Sequence, residues 1–304
     1  MRDAVVFPGQ GSQFIGMADP WTAHAAGRTV LEEASDAIGA DIVAGCHDEA
    51  ALATTDFVQP ALLACDVAAF RVLQAGGLTE LAGVAGHSLG EFAALVAADA
   101  VTLPDALTMV GVRGRAMQLA ALGRPGAMSA LLGVNGDDAE ALCEEVRGGD
   151  ELVVANRNSP VQSVASGDLT AIERLESLAK DRKVRAVRLP VAGAFHSELM
   201  RPAVQPVLDV LEAIDVRDPE VPIAENVTGE LVTDAARLRE LLGIQVVSPV
   251  RWETGVRNLA AAGATRFLEA GAGDVLTMLL KRILPDVAGA AVGSPEAAAA
   301  ALGA

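Results

Sequence analysis

Leu81-Ala82-Gly83-Val84-Ala85-Gly86-His87-Ser88-Leu89-Gly90-Glu91-Phe92-Ala93-Ala94-Leu95-Val96-Ala97-Ala98 decides the fold. Residues 81–85 form a short apolar run ending at Gly86, the pattern of a buried strand. Residues 91–98 are rich in Ala and Leu and read as a helix. Between them Gly86-His87-Ser88-Leu89-Gly90 fits G-x-S-x-G, the strand-to-helix turn that lifts a serine hydroxyl out of the backbone. Glycines two positions either side keep Cβ atoms out of that crowded turn. The helix that follows points backbone N–H groups toward the serine, which suits a developing oxyanion. The plainer alternative is a Gly/Ser turn with no catalytic use.

The chain has 304 residues, 51% of them hydrophobic, enough for one large α/β domain or one such domain carrying an insert. No run approaches the roughly 20 apolar residues of a membrane span. The start, Met1 to Pro8, reads as a first strand rather than a signal peptide, and no membrane association is expected. Cys46, Cys65 and Cys143 are odd in number and widely spaced, so neither a zinc site nor a disulfide framework is expected, and the compartment is read as cytoplasmic. A formal net charge of −17 argues against nucleic acid as a partner. Against that charge, Lys180, Arg182, Lys183, Arg185 and Arg188 crowd into one stretch. That stretch is either a solvated helix end and edge strand or a dock for an anionic partner.

Residues 4–8 read as a strand ending in the Gly-rich turn Pro8-Gly9-Gln10-Gly11-Ser12-Gln13, with helices over 27–38, 60–75 and Asp105–Leu122. After the breaker Gly123-Arg124-Pro125-Gly126 the texture changes. Strand Ala127–Val134, helix Asp137–Val146, strands Leu152–Ala155 and Gln162–Ser166, helix Leu169–Lys180 and strand Val184–Leu189 give β-α-β-β-α-β, the ferredoxin-like split pattern. The expected division is 1–126 with 191–304 as the large part and 127–190 as the insert. The remainder reads as a helix over Ser197–Ile214, a strand Ile223–Val227, helices Ala235–Leu242 and Pro249–Ala262, a strand Arg266–Ala270, a helix over 274–284 and a fraying tail Pro295–Ala304.

A nucleophilic serine needs a base, and the chain holds four histidines. His87 abuts Ser88 and points away from its hydroxyl; His24 and His47 lie in polar stretches read as surface. His196, in a loop where the insert rejoins the large part, is the candidate base or else a structural histidine. No acid follows a main-domain strand in the order Ser, Asp/Glu, His. An imidazole can also be oriented by a carbonyl, because its ring N–H needs only an acceptor.

An ordered set of motifs runs along almost the whole chain: Gly9-Gln10-Gly11-Ser12-Gln13; Gly86-His87-Ser88-Leu89-Gly90-Glu91; Arg113 in Val112-Arg113-Gly114-Arg115-Ala116-Met117-Gln118; Asn156-Arg157-Asn158-Ser159-Pro160; Ala194-Phe195-His196-Ser197; and Gln245 in Gln245-Val246-Val247-Ser248-Pro249-Val250-Arg251-Trp252. In these the chain resembles the malonyl-CoA:acyl carrier protein transacylases and is similar to polyketide synthase acyltransferase domains. The resemblance implies an α/β-hydrolase-like large subdomain with an inserted ferredoxin-like small subdomain. It implies Ser88 as nucleophile and His196 as base, oriented by a backbone carbonyl at Gln245. It places the backbone N–H groups of Gln10 and Leu89 in an oxyanion hole and Arg113 on the substrate carboxylate, where a planar guanidinium matches bidentate geometry.

The implied activity is malonyl transfer from malonyl-CoA to the phosphopantetheine thiol of acyl carrier protein, through a malonyl-serine, in fatty-acid or polyketide synthesis. CoA and phosphopantetheine are then substrates, and no cofactor or metal is expected. Phe195 would crowd a 2-methyl group or simply pack under the loop; Asn158 would line the cleft or make a turn. Ala272 stands where relatives often have proline. Arg182, Lys183, Arg185 and Arg188 become the candidate dock for the acidic carrier, with Arg251 and Arg257 as a second. A monomer is expected. The rival readings are a serine thioesterase or hydrolase, a transacylase for another extender such as methylmalonyl-CoA, and a non-catalytic acyl-binding or carrier-docking protein.

Overall fold

A computed structural model of the chain describes residues 2–191 and 193–303; Met1, Ala192 and Ala304 lie outside it. The large sheet contains β1 (Asp3–Phe7), β2 (Leu81–Gly86), β7 (Ile223–Ala224), β8 (Leu231–Val232), β9 (Arg266–Ala270) and β10 (Ala288–Val292), in the order β10-β9-β1-β2-β7-β8. All neighbours are parallel except β7 and β8. Helices cover both faces, which is why β1 is apolar and buried at every position but Asp3, itself paired with Arg266. The register sets Phe7 beside Gly86 and Val6 beside Glu269. Three turns therefore leave the sheet at one edge: Pro8–Gln13 after β1, the elbow after β2 and Gly271–Gly273 after β9. Such an edge, at the carboxyl ends of parallel strands, is where open α/β sheets bind ligands.

The second sheet contains β3 (Gly126–Leu132), β4 (Leu152–Ser159), β5 (Gln162–Asp168) and β6 (Arg185–Arg188), all antiparallel, in the order β4-β5-β3-β6. With the helices Gly136–Arg147 and Leu169–Asp181 on one face, this is the ferredoxin-like arrangement. Asn135 starts the first of these helices by accepting the N–H groups of Asp137 and Asp138 at 2.9 Å each. The small sheet is tied to the large part through Val250, whose N–H donates to Ala155 O and whose carbonyl accepts the Arg157 N–H.

Several elements depart from the sequence expectation. The helix expected over 60–75 begins at Thr55 and carries Pro60 inside it. The segment expected as one helix over Ser197–Ile214 is a 3-10 turn, Glu198–Ala203, followed by an α-helix, Val204–Ala213; Pro202 withholds the N–H that a continuous α-helix needs. Only Ile223–Ala224 of the strand expected over Ile223–Val227 pairs, because Asn226 leaves the ladder for the elbow. The helix expected from Pro249 begins at Trp252. The tail expected to fray is a helix, Pro295–Leu302, capped by Ser294 Oγ, with Ala298 buried and Ala301 O bonded by the Arg266 side chain. Strand β10 and the short helices Asp19–Thr22, Ile42–Gly45 and Glu49–Leu52 were not legible in the pattern.

Candidate active site

The elbow is built by close backbone approach. A Cβ on Gly90 would fall 2.1 Å from Phe7 O, and one on Gly86 would fall 1.9 Å from the Gly90 carbonyl group, so neither position admits a side chain. Between them Ser88 adopts φ 53°, in the left-handed region that L residues rarely occupy. The Asn226 side chain holds it there. Its Oδ1 accepts the Ser88 N–H at 2.7 Å and its Nδ2 donates to Gly86 O at 2.8 Å. The His87 N–H donates to Phe7 O, and a Cβ on Gly9 would lie 2.3 Å from His87 O, so the Gly-rich turn bearing Gln10 packs directly on the elbow. Among the described residues the N–H groups of Gln10 and Leu89 donate to no protein acceptor.

His196 is buried in the loop that follows the small sheet, at φ 58°. Its Nε2 lies 2.7 Å from Ser88 Oγ. Its Nδ1 faces two carbonyls, Gln245 O at 3.1 Å and Ser248 O at 3.0 Å. Carbonyls only accept, so Nδ1 carries the hydrogen and the Nε2 lone pair faces the hydroxyl. Burial, reinforced by the nearby Arg113 cation, pushes the imidazole pKa down to about 3, against the opposing pull of the two carbonyls. The ring is neutral at physiological pH and free to take a proton.

Arg113 sits inside the Leu103–Gly123 helix and is 1% exposed, an unusual place for a guanidinium. Nη2 donates to Ser88 Oγ at 3.0 Å; Nε and Nη2 donate to Gln245 Oε1 at 3.2 and 3.0 Å; Nη1 donates to Gln59 Oε1 at 3.0 Å. Its carbon lies 5.5 Å from the Phe92 ring centroid. Burial lowers its pKa to about 10, opposed by Glu91, and it stays a cation at neutral pH. Every acceptor it touches is neutral, which leaves its charge unmatched by direct contact.

His196 and Arg113 thus meet at Ser88 Oγ, and Gln245 bonds to both of them. Asn158 is buried, and its Oδ1 lies 2.8 Å from His87 Nε2, beside the nucleophile. Phe195 is buried in the main apolar core. His47 is exposed and bonded to Asp19, but His24, expected at the surface, is half-buried. Four residues of the site escaped the sequence reading: Gln59, Glu91, Asn226 and Ser248. Of these Glu91 left a signal, an acid at the head of an otherwise apolar helix. Among the described residues no cluster of His, Cys, Asp and Glu could hold a metal ion.

Residues 4–299 match the acyl transferase domain family. The chain is 39% identical to the malonyl CoA-acyl carrier protein transacylase of Bacillus subtilis over 298 residues, 96% of this chain and 94% of the relative. The crystal structure of the acyl-carrier-protein S-malonyltransferase from Burkholderia pseudomallei superposes with a TM-score of 0.95 at 39% identity, covering 100% of both chains. A malonyl-transacylase solved in complex with a holo type II polyketide synthase acyl-carrier protein superposes with a TM-score of 0.95 at 37% identity, covering 100% of this chain and 99% of that one. The chain belongs to the acyl transferase domain family, alongside the malonyl CoA-acyl carrier protein transacylases.

Proposed function

We propose that this chain moves a malonyl group from malonyl-CoA to the phosphopantetheine thiol of an acyl carrier protein, through a malonyl ester on Ser88. One observation carries the reading: Ser88 Oγ lies between a neutral imidazole at 2.7 Å and a buried guanidinium at 3.0 Å. The first is a base for the hydroxyl proton. The second is a cation within reach of a carboxylate attached to an acyl group on that oxygen.

Ser88 Oγ attacks the thioester carbonyl while His196 Nε2 takes its proton. The carbonyl oxygen becomes an oxyanion held by the N–H groups of Leu89 and Gln10, each worth about 3 kcal/mol in the transition state. Collapse expels the CoA thiolate, which takes the proton from His196 and leaves as the thiol. The carrier thiol then repeats the sequence in reverse, giving its proton to His196 and releasing Ser88. Arg113 leaves the serine hydroxyl for the malonyl carboxylate, which supplies the anion its buried site lacks. No cofactor or metal takes part. We read the working unit as a monomer. Free buried thiols at Cys46, Cys65 and Cys143 support a cytoplasmic setting; no described helix is long and apolar enough to cross a membrane.

The carrier is read as docking on the exposed cluster Arg182, Lys183, Arg185 and Arg188. Arg182 is paired with Glu145 and Arg188 with Glu176, so Lys183 and Arg185 supply the charge left over for a partner. Charge reversal at Lys183 and Arg185 raises the carrier KM; an unchanged KM removes this patch from the reading.

Intact-protein mass spectrometry after brief mixing with malonyl-CoA tests the activity. A malonyl-sized adduct that persists, is absent in Ser88→Ala and moves to added carrier protein supports transfer. Steady CoA release with no adduct identifies a hydrolase, and a stable methylmalonyl adduct at equal rate identifies a broader extender specificity.

A further inference from the structure

Glu91 is fully buried, one position past the elbow, and the reaction above does not use it. A carboxyl in such a place is costly unless its oxygens are bonded. Its Oε1 accepts the Asn226 N–H at 2.9 Å and its Oε2 accepts Gln245 Nε2 at 2.5 Å. Its two partners are the residues that fix the nucleophile. The Asn226 side chain bridges Ser88 N and Gly86 O across the strained turn. Gln245 Nε2 also donates to Ser88 O at 3.0 Å, its Oε1 accepts Arg113, and its main-chain carbonyl accepts the His196 ring N–H.

The two ends of a carboxamide are chemically different, one donating and one accepting. Both Glu91 oxygens already accept, Oε1 from the Asn226 N–H and Oε2 from Gln245 Nε2, so Glu91 takes the NH2 end of Gln245 even though burial and the neighbouring Glu225 push its carboxyl well above the usual range. That choice turns the Gln245 carbonyl toward Arg113, whose guanidinium only donates. The reverse orientation would set two donors against each other on the Arg113 side and two acceptors on the Glu91 side. The neighbouring acid Glu225 does not compete for these partners. Its oxygens accept the N–H groups of Val227 and Thr228 in its own turn.

We propose that Glu91 is a positioning residue for acyl transfer: by accepting from Gln245 and Asn226 it sets the amide orientations that hold Ser88, Arg113 and His196 in register. This rests on the reading of Ser88 as nucleophile. A glutamine at position 91 has nearly the same shape but one oxygen replaced by a donor. It must face either the Asn226 N–H or the Gln245 NH2 with that donor; facing Gln245, it is relieved by turning Gln245 away from its bonds to Arg113, and facing Asn226, it breaks the bond that holds Asn226 on the elbow.

The test compares wild type, Glu91→Gln, Gln245→Ala and the double variant. Three quantities are read: Ser88 labelling by a fluorophosphonate probe, the malonyl-to-acetyl ratio of acylation rates, and Tm. Glu91→Gln is expected to fold, to label at least tenfold more slowly and to lose at least tenfold of the malonyl preference. The double variant is expected to lose less than the product of the two single losses, since both act through one amide. A folded Glu91→Gln that labels within twofold of wild type overturns the proposal, as do single effects that simply multiply. If Glu91→Gln does not fold, Glu91→Asp, which keeps the carboxyl but not the reach, is read by the same criteria. If neither folds, Glu91 is a stability residue and the proposal falls. The probe carries no malonyl group, so a wild type that labels but takes no malonyl-CoA refutes the substrate and leaves the positioning role to be judged on labelling.

Discussion

Arg113 Nη2 and Ser88 Oγ are hydrogen-bonded at 3.0 Å, so the cation assigned to the substrate carboxylate also rests on the nucleophile. In this structure Arg113 occupies the serine; on the proposed function the malonyl carboxylate would replace the hydroxyl as its acceptor.

Replacing that cation should cost more for malonyl than for acetyl. In Arg113→Ala the rate of Ser88 acylation by malonyl-CoA should fall by about 2–4 kcal/mol of transition-state free energy while that by acetyl-CoA falls less or rises. Arg113→Lys should recover only part of the loss, because an ammonium lacks the planar fork. Parallel losses for both thioesters would show that Arg113 serves the serine and not the substrate.

The pH dependence follows from His196. Its pKa is lowered from 6.5 to about 3 in the folded chain, so the ring stays unprotonated far below the ordinary histidine range. The rate of Ser88 acylation should therefore show no acid limb near pH 6.5. The sign for stability is the same. Between those two values the unfolded chain binds the proton and the folded chain does not, so His196 costs stability progressively as pH falls from 6.5. His196→Gln, unable to charge, should narrow the gap in Tm between pH 7 and pH 5; an unaltered gap would mean that the ring protonates in place.

Gly90→Ala isolates the backbone approach at the elbow. The added methyl carbon would sit 2.1 Å from Phe7 O and 2.6 Å from Pro8 O, both backbone atoms with no room to retreat. A loss of about 3 kcal/mol or more is expected, or no folded protein at all. Gly123→Ala, where a Cβ meets nothing within 4 Å, is the matched control and should be near neutral. Equal Tm values for the two variants would contradict the packing described here.

Asp66 offers a test of buried charge away from the chemistry. Among the described residues both its oxygens lack a well-formed hydrogen bond, and burial, with Glu269 nearby and the Ala272 backbone opposing, raises its pKa well above 3.8. A raised carboxyl favours folding while protonated and loses that contribution as pH climbs through its folded pKa. Asp66→Asn should therefore raise Tm at pH 8, by about 1–3 kcal/mol of stability, and do little at pH 4. A variant less stable than wild type at pH 8 would show that the carboxylate has a partner there.

The chemistry was legible wherever it is encoded by short spacing. Gly86-His87-Ser88-Leu89-Gly90 announces a turn by its local spacing, although only Gly86 serves a contact within that strand–turn–helix unit while Gly90 makes room for Phe7 and Pro8 at the end of the first strand. A missing triad acid pointed to a carbonyl, which the family resemblance placed at Gln245. Groups that reach the site by a single side-chain bond across long separations left no local trace. Asn226 meets Ser88 over 138 residues of chain, and Gln59 meets Arg113 over 54. The basic cluster near 185 was legible as a run of positive charge, but its pairing was not. Counting charge along the chain does not see Glu145 and Glu176, which the fold brings opposite Arg182 and Arg188. Likewise an alanine-rich tail carries no sign of the core it packs on, so composition alone suggested fraying where Ser294 and Arg266 fasten a helix.

The small sheet enters and leaves through strands that pair with each other, Leu132 opposite Arg185 and Ser129 opposite Arg188. Its two ends are therefore neighbours, and the segment can be exchanged for a counterpart from another chain without rerouting the rest, in the manner of a cassette. What a transplanted cassette has to bring is equally specific: an acceptor for His87 in the place of Asn158, and backbone groups matching Ala155 and Arg157 to receive Val250. Chimeras meant to exchange the proposed carrier dock, Arg182, Lys183, Arg185 and Arg188, are best cut at this seam.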